Sequence, residues 1–274
     1  MSAHAYTEDQ LVEQPAIQLF AALGWQTATA VEEVFGATGT LGRETPSEVV
    51  LLPRVRAALE KLNPALPPEA VTAAVDEWTR DRSAMGLPAA NREVYRLLKD
   101  GIAVSVVDAQ APPSAQPSPK GRGSGGQRTV RVRVIDWENP VTNDFLLVSQ
   151  FSVTGALYTC RPDLVAFVNG LPLVVIELKK PGVPARAAFD ENLTHYKAEI
   201  PPLYVFNALL IASNGTESSV GSLTADWERF FEWKRIERED EPRRVSLEVM
   251  LRGTGDPLPP RLLSGQVELE AHAA

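Results

Sequence analysis

The chain has little cysteine, little histidine and no long apolar run, and each shortage excludes a class of protein. Cys160 is the single cysteine in 274 residues, so no internal disulfide framework can form and a reducing compartment, the cytoplasm, is expected. Its neighbours supply no His or Asp at catalytic spacing, which makes it a structural cysteine at a strand end. Three histidines, His4, His195 and His272, give no zinc spacing, and His195 reads as a surface residue. The strongest apolar run, LPLVVIEL, is interrupted at Glu177 far short of the roughly 20 residues that span a bilayer. The start, MSAHAYTEDQ, has no basic segment followed by an apolar core, so no secretory signal is expected. Apolar content is an ordinary 44% and formal net charge is -8. A protein that coats nucleic acid through bulk charge is disfavoured, although a local cationic site is not.

What is present is helical punctuation at the start and strand patterning after it. Thr7-Glu8-Asp9-Gln10 has capping-box spacing, and Leu11, Val12, Ala16, Ile17, Phe20 and Leu23 keep helical period up to Gly24, with Pro15 opening or kinking the helix. Helices are expected over 47–62, 68–80 and 91–99, covering a sheet. Strands are expected in GIAVSVV, TVRVRVI, FLLVSQFSV, LVAFV, LPLVVIELK and VFNALLIAS, with a helix over 185–197 before the last. Residues 108–128, rich in Pro, Ser, Gly and Ala, cannot bury enough apolar area to order themselves and read as a flexible loop that expands a hairpin. One domain over 8–237 is expected, followed by an acidic to Pro- and Gly-containing tail over 238–274.

The chemistry concentrates in RPDLVAFVNGLPLVVIELKKPG, residues 161–182. Pro162-Asp163 precedes one apolar run, and Glu177-Leu178-Lys179 ends a second, with Asn169-Gly170 between. Two carboxylates and an ammonium on neighbouring strands suit metal-dependent phosphodiester hydrolysis, the acids holding a hard cation and the lysine offsetting charge at the phosphate. Side chains at i and i+2 share a strand face, so Glu177 and Lys179 point together and Asp163 has to join them. A two-residue turn at Asn169-Gly170 pairs Asp163 with Ile176 and separates the acids. A three-residue loop, Val168 to Gly170, with Gly170 left-handed in a bulge, pairs Asp163 with Val175 and makes Asp163 and Glu177 diagonal neighbours roughly 7 to 8 Å apart. The bulged loop is therefore expected. Charged residues at strand ends are often merely solvated. Glu177, however, follows four apolar residues in a strand that reads as buried on both faces, where an unpaired carboxylate is costly. Lys180, Arg186 and Lys197 gather near this segment, while Glu237, Glu239, Asp240 and Glu241 lie elsewhere.

On these residues the chain resembles the N-terminal nuclease region of the R (HsdR) subunit of type I restriction enzymes, a branch of the PD-(D/E)xK nuclease superfamily. The resemblance runs from Leu11 to about Arg235 through LVEQPAIQLFAALGW, SEVVLLPRVRAALEKLNPALP, NREVYRLLKDG, IDWENPVTNDFLLVSQFSV, YKAEIPPL and SNGTESSVGSLTADWERFFEWK. It implies an α/β fold, a restriction-endonuclease-like mixed β-sheet flanked by helices, with an additional N-terminal helical region. It implies that Asp163 and Glu177 are metal-binding acids, that Lys179 is the catalytic lysine, and that the Leu178 carbonyl adds a ligand, with Glu13 of the first helix as a further carboxylate. The metal is Mg²⁺. The family's Gln-x-x-x-Tyr pattern falls on Asn192 and Tyr196, on one helical face, where Asn shortens the reach by a methylene. With Lys180, Arg186 and Lys197, this pair is expected to bind or position DNA.

The family subunit is also an ATP-driven translocase, yet no G-x-x-x-x-G-K-[ST] loop occurs here; GATGTLGRE lacks the lysine and the spacing. ATP is thus expected only for the full family enzyme. The expected partners are DNA, the methyltransferase and specificity subunits, and a separately encoded motor. The function implied is a Mg²⁺-dependent DNA endonuclease domain of a type I system; the alternative is a non-catalytic truncated fragment that serves assembly.

Overall fold

A computed structural model describes residues 7–36, 38–107 and 127–233. The expected loop therefore lies outside the described residues except for Gln127 and Arg128, which belong to a strand, and the expected tail over 238–274 lies outside them altogether.

In chain order, a wide helical turn at Asp9–Glu13 leads into α1 (Gln14–Ala22) and β1 (Gln26–Thr29). Then follow α2 (Leu52–Leu62), α3 (Pro68–Thr79), α4 (Leu87–Asp100), β2 (Ile102–Val107) and β3 (Gln127–Val132). Next come β4 (Phe145–Ser149), β5 (Val153–Thr154), β6 (Thr159–Cys160), β7 (Leu164–Val168) and β8 (Leu171–Leu178). A second wide helix, Ala188–Leu193, precedes α5 (Thr194–Glu199), α6 (Pro201–Val205), β9 (Leu209–Ser213), β10 (Ser218–Gly221) and β11 (Phe231–Glu232). Seven strands form one sheet in the order β1-β4-β7-β8-β9-β10-β11. The β1/β4 and β8/β9 pairs are parallel and the rest antiparallel. This is the expected mixed sheet with flanking helices. Among the described residues no helix is long and apolar enough to cross a membrane.

Helix boundaries follow proline more closely than hydrophobic period. Thr7 Oγ1 accepts from the Gln10 N–H at 3.3 Å, the forward half of the capping box. Pro15 has no N–H to return to the carbonyl four residues back, and the helix widens just before it: the Gln14 N–H reaches the Asp9 carbonyl instead. Pro53 sits in the first turn of α2, so the helix expected from Ser47 starts at Leu52. The preceding stretch docks on the turn between β7 and β8, where the Leu51 N–H donates to the Gly170 carbonyl at 2.9 Å. α4 likewise starts at Leu87, ahead of Pro88, rather than at Asn91. The β2/β3 pair, on either side of the Pro- and Ser-rich segment, is antiparallel, as an expanded hairpin requires. It forms a sheet of its own.

β8 is the fourth of seven strands, and all eight of its residues are buried. Its register with β7 corrects the expectation. Val168 pairs with Leu171, so the turn has two residues, Asn169 at φ 51° and Gly170 at φ 79°, both in the left-handed conformation that such a tight turn needs. The extra residue lies further along: Phe167 pairs with Pro172 but Ala166 with Val174, leaving Leu173 as a bulge on β8. Pro172 explains its location, because proline cannot donate to a ladder and is tolerated inside sheets at bulges. Beyond the bulge Leu164 faces Ile176. One step further brings Asp163 opposite Glu177, so the two acids still converge on one face.

Asn169 is buried and holds the turn down: its side-chain amide donates to the Val134 carbonyl and to Asn143 Oδ1, both at 2.8 Å, and its Oδ1 accepts from the Asp144 N–H at 2.7 Å. A Cβ on Gly170 would lie 2.7 Å from the Leu51 carbonyl oxygen and 2.8 Å from the Val55 nitrogen. Backbone cannot yield there as a side-chain tip could. Gly170→Ala is therefore expected to cost at least about 2 kcal/mol, combining left-handed strain with the clash, and a fall in the urea unfolding midpoint measures it.

Candidate active site

The two acids meet through backbone donors. Asp163 Oδ2 accepts from the Leu178 N–H at 2.8 Å, and Glu177 Oε1 accepts from the Asp163 N–H at 3.3 Å. Each carboxylate thus bridges the gap between β7 and β8 where the ladder ends. Glu177 is 1% exposed. Burial, then the neighbouring Asp163 charge, pushes its carboxyl well above the usual range, and burial also raises Asp163. Each charge also opposes ionisation of the other buried acid, so the pair as a whole resists carrying two negative charges without a cation.

Lys179 continues from Glu177 along the same face. Its Nζ donates to Asn192 Oδ1 at 2.8 Å and stands 3.1 Å from Glu191 Oε2. Asn192 in turn donates through Nδ2 to Tyr196 Oη at 3.1 Å, so the two residues do share a helical face and the shorter asparagine does reach the lysine. The Tyr196 ring packs on the core while its hydroxyl, pushed up to about 12 by burial and by the Glu177 charge, stays protonated. The other expected cations are engaged differently. Lys180 is tied by its backbone N–H to Glu8 Oε2 at 2.7 Å, and Arg186 pairs with Asp190 at 3.0 Å on the helix surface. Lys197 lies 5.3 Å from the Phe189 ring centroid, its amine pushed down by burial against the opposing pull of Asp226. Of these four cations, Lys179 is the one whose side chain joins the site. His195 is exposed. Cys160 is buried, donates to Glu199 Oε2 at 3.0 Å and has its thiol pushed up to about 12 by burial, which leaves it inert.

Glu13 reaches the site from the wide turn before α1. It is buried, accepts from Gln150 Nε2 at 2.8 Å, and is raised to about 7 by burial and by the charge of Asp163. Three residues that sequence reasoning passed over stand here as well. Gln150 directly follows β4, Glu8 raises Asp163 through its charge, and Arg161 helps line an open cleft of about 720 Å³ together with Glu13, Gln150 and Thr27. No short signature marks them. Glu8 and Arg161 read as ordinary surface charges, and the kink at Gln150 sits inside a pattern that looks like one long strand.

The donor set suits a hard divalent cation. Asp163 and Glu177 offer oxygen alone, and both are held in a desolvated, mutually repulsive state that a positive charge relieves. Among the described residues no three His, Cys, Asp or Glu side chains gather tightly enough to bind an ion without help. Mg²⁺ accommodates such a site, because it retains several waters and takes as few as one or two carboxylates.

Comparisons with known proteins agree with the resemblance. The model of the family described as type I restriction enzyme R protein N terminus matches residues 5–114 and 118–229. The chain is similar to the type I restriction enzyme HindI endonuclease subunit of Haemophilus influenzae, 34% identical over 90% of this chain and 22% of that protein. It is also similar to a putative type I restriction enzyme MjaIXP endonuclease subunit of Methanocaldococcus jannaschii, 30% identical over 88% of this chain and 22% of that protein. This chain thus spans about a fifth of the length of these two relatives. With the family model matching most of its residues and the sheet carrying the acids and lysine on one face, the chain belongs to the type I restriction enzyme R protein N-terminal family.

Proposed function

We propose that the chain is the Mg²⁺-dependent DNA endonuclease part of a type I restriction system, hydrolysing phosphodiester bonds in the cytoplasm alongside methyltransferase, specificity and motor components. The observation that carries the reading is the meeting of Asp163 and Glu177 across β7 and β8, with Lys179 on the same face and its Nζ held by Asn192.

A divalent cation at such a site activates water and withdraws charge from the phosphate. The remaining roles belong to residues of this chain. Asp163 and Glu177 would hold the ion, with the Leu178 carbonyl as a further oxygen ligand. Lys179 brings its ammonium to where negative charge builds on the phosphate, a contribution that is large because the donor is fixed beforehand. Asn192 fixes it: one amide oxygen holds the lysine while the amide nitrogen is held by Tyr196. Asn192 and Tyr196 therefore act on substrate through Lys179. Arg161, exposed on the cleft that Glu13 and Gln150 also line, would meet a neighbouring phosphate.

The test is cleavage of a supercoiled plasmid bearing the recognition sequence of the chain's own system. The chain alone, without translocation, is expected to cut weakly or not at all. Mixed with a motor fragment and the modification complex it is expected to linearise the plasmid in Mg²⁺ and to stop in EDTA. Cutting that is unchanged when this chain is left out of the complete mixture removes the proposal.

A further inference from the structure

Gln150 is one of two described residues other than glycine with positive φ, at 56°. The other, Asn169, is explained by its hairpin turn. Gln150 is not in a hairpin; it breaks what would otherwise be a continuous strand between Ser149 and Val153. A glutamine held there carries a cost that persists only when its surroundings enforce it. They do so on both sides. The Gln150 N–H donates to the Asp163 carbonyl at 2.7 Å. Phe151, fully buried, packs edge-on against Phe167 at 5.2 Å and lies 4.0 Å beneath the Arg43 guanidinium. That guanidinium, paired with Glu33 through Nε at 2.9 Å, donates to the Ser152 carbonyl at 3.0 Å. What the kink achieves is to turn the side chain of Gln150 to Glu13, whose Oε2 it holds at 2.8 Å.

We propose that Gln150 is a positioning residue of the metal site: one residue anchors the backbone of Asp163 and the carboxylate of Glu13, bringing the first helix to the catalytic hairpin. The two acids of the hairpin do not form a three-acid cluster with any other described residue. Glu13 would then serve a bound ion as an outer carboxylate, oriented by Gln150. Outer partners of this kind commonly change metal affinity 10- to 100-fold. The inference rests on the reading of Asp163 and Glu177 as metal ligands and adds a site component contributed by the wide turn before α1 and the residue that follows β4.

The experiment uses the full chain and Mn²⁺, titrated by calorimetry. Gln150→Asn retains a residue type that tolerates positive φ, but its amide is a methylene too short for the bond to Glu13. Gln150→Gly removes the side chain and suits the backbone, so it is expected to melt no lower than wild type. Both variants should weaken Mn²⁺ binding about 10- to 100-fold. Glu13→Gln should weaken it similarly, and Gln150→Asn combined with Glu13→Gln should be no worse than either alone, because the two residues act through one contact. Binding by Gln150→Asn and Gln150→Gly within about twofold of wild type, or losses that multiply in the double variant, would overturn the inference. Asp163→Asn separates the two layers. If it loses Mn²⁺ while the Gln150 variants do not, only the role of Gln150 fails; if it binds as wild type does, or wild type binds none, the metal-site reading fails with it.

Discussion

Asp163→Ala is expected to lower plasmid cleavage by the complete mixture at least about 10³-fold, and Lys179→Ala about 10²- to 10³-fold, the usual cost of removing one fixed charge-stabilising group. The two losses have different origins, and metal binding tells them apart. On the proposed reading Asp163 would contribute a ligand, and it also accepts the Leu178 N–H, so its loss should remove affinity for the cation. Lys179 touches Asn192 and Glu191 rather than the two acids, so its alanine variant should bind Mn²⁺ as well as wild type or better, having lost a competing positive charge. Rates are compared in the reconstituted mixture and affinities on the chain alone. Equal cleavage by wild type and both variants would leave the hairpin with no catalytic part.

Glu177→Gln has the opposite sign for stability and function. In the absence of a divalent ion the buried, repelled carboxyl of Glu177 holds its proton well above the usual carboxylate range. An acid with a raised value in the folded state contributes stability that is fully present below its unfolded value, about 4.3, and is lost as pH climbs through the folded one. The metal-free chain is thus penalised at neutral pH, where the unfolded carboxyl ionises freely and the folded one resists ionisation. Glutamine keeps the shape and an oxygen for the Asp163 N–H without that charge. Glu177→Gln should raise the melting temperature at pH 8 by about 3 °C or more, with the gain shrinking toward pH 5, while cleavage disappears. Scanning calorimetry of both proteins across this range, with EDTA present, measures the difference. A glutamine variant that melts lower than wild type at pH 8 would show that Glu177 is held by compensating contacts instead of being strained for binding.

Much of this site is legible in sequence because parity on a strand is strict. Glu177 and Lys179 must share a face, and an acid after Pro162 must join them if the motif is to work. The number of extra residues in the hairpin follows from that requirement, but their position does not. The bulge falls at Leu173 because Pro172 cannot complete the ladder and because Gly170 is pressed against the start of α2, a tertiary contact invisible in RPDLVAFVNGLPLVVIELKKPG. The pairing of Asn192 with Tyr196 follows from helical spacing, whereas the bond from Asn192 to Lys179 depends on how Ala188–Leu193 sits over the sheet. Gln150 was hidden for a related reason. FLLVSQFSV has the composition of one strand, and its break is imposed by Arg43, more than a hundred residues earlier, clamping Phe151 and Ser152. Short strands were the hardest to foresee: β1, β10 and β11 are stabilised by their neighbours in the sheet rather than by β-rich composition.

The most direct measurement is anomalous diffraction from crystals of the full chain grown with Mn²⁺. A single strong peak bridging the Asp163 and Glu177 carboxylates, within about 2.5 Å of an oxygen from each and absent from Asp163→Asn crystals grown alongside, is the expected result. Manganese bound elsewhere, with those two side chains still hydrogen-bonded to backbone and no peak between them, would contradict it.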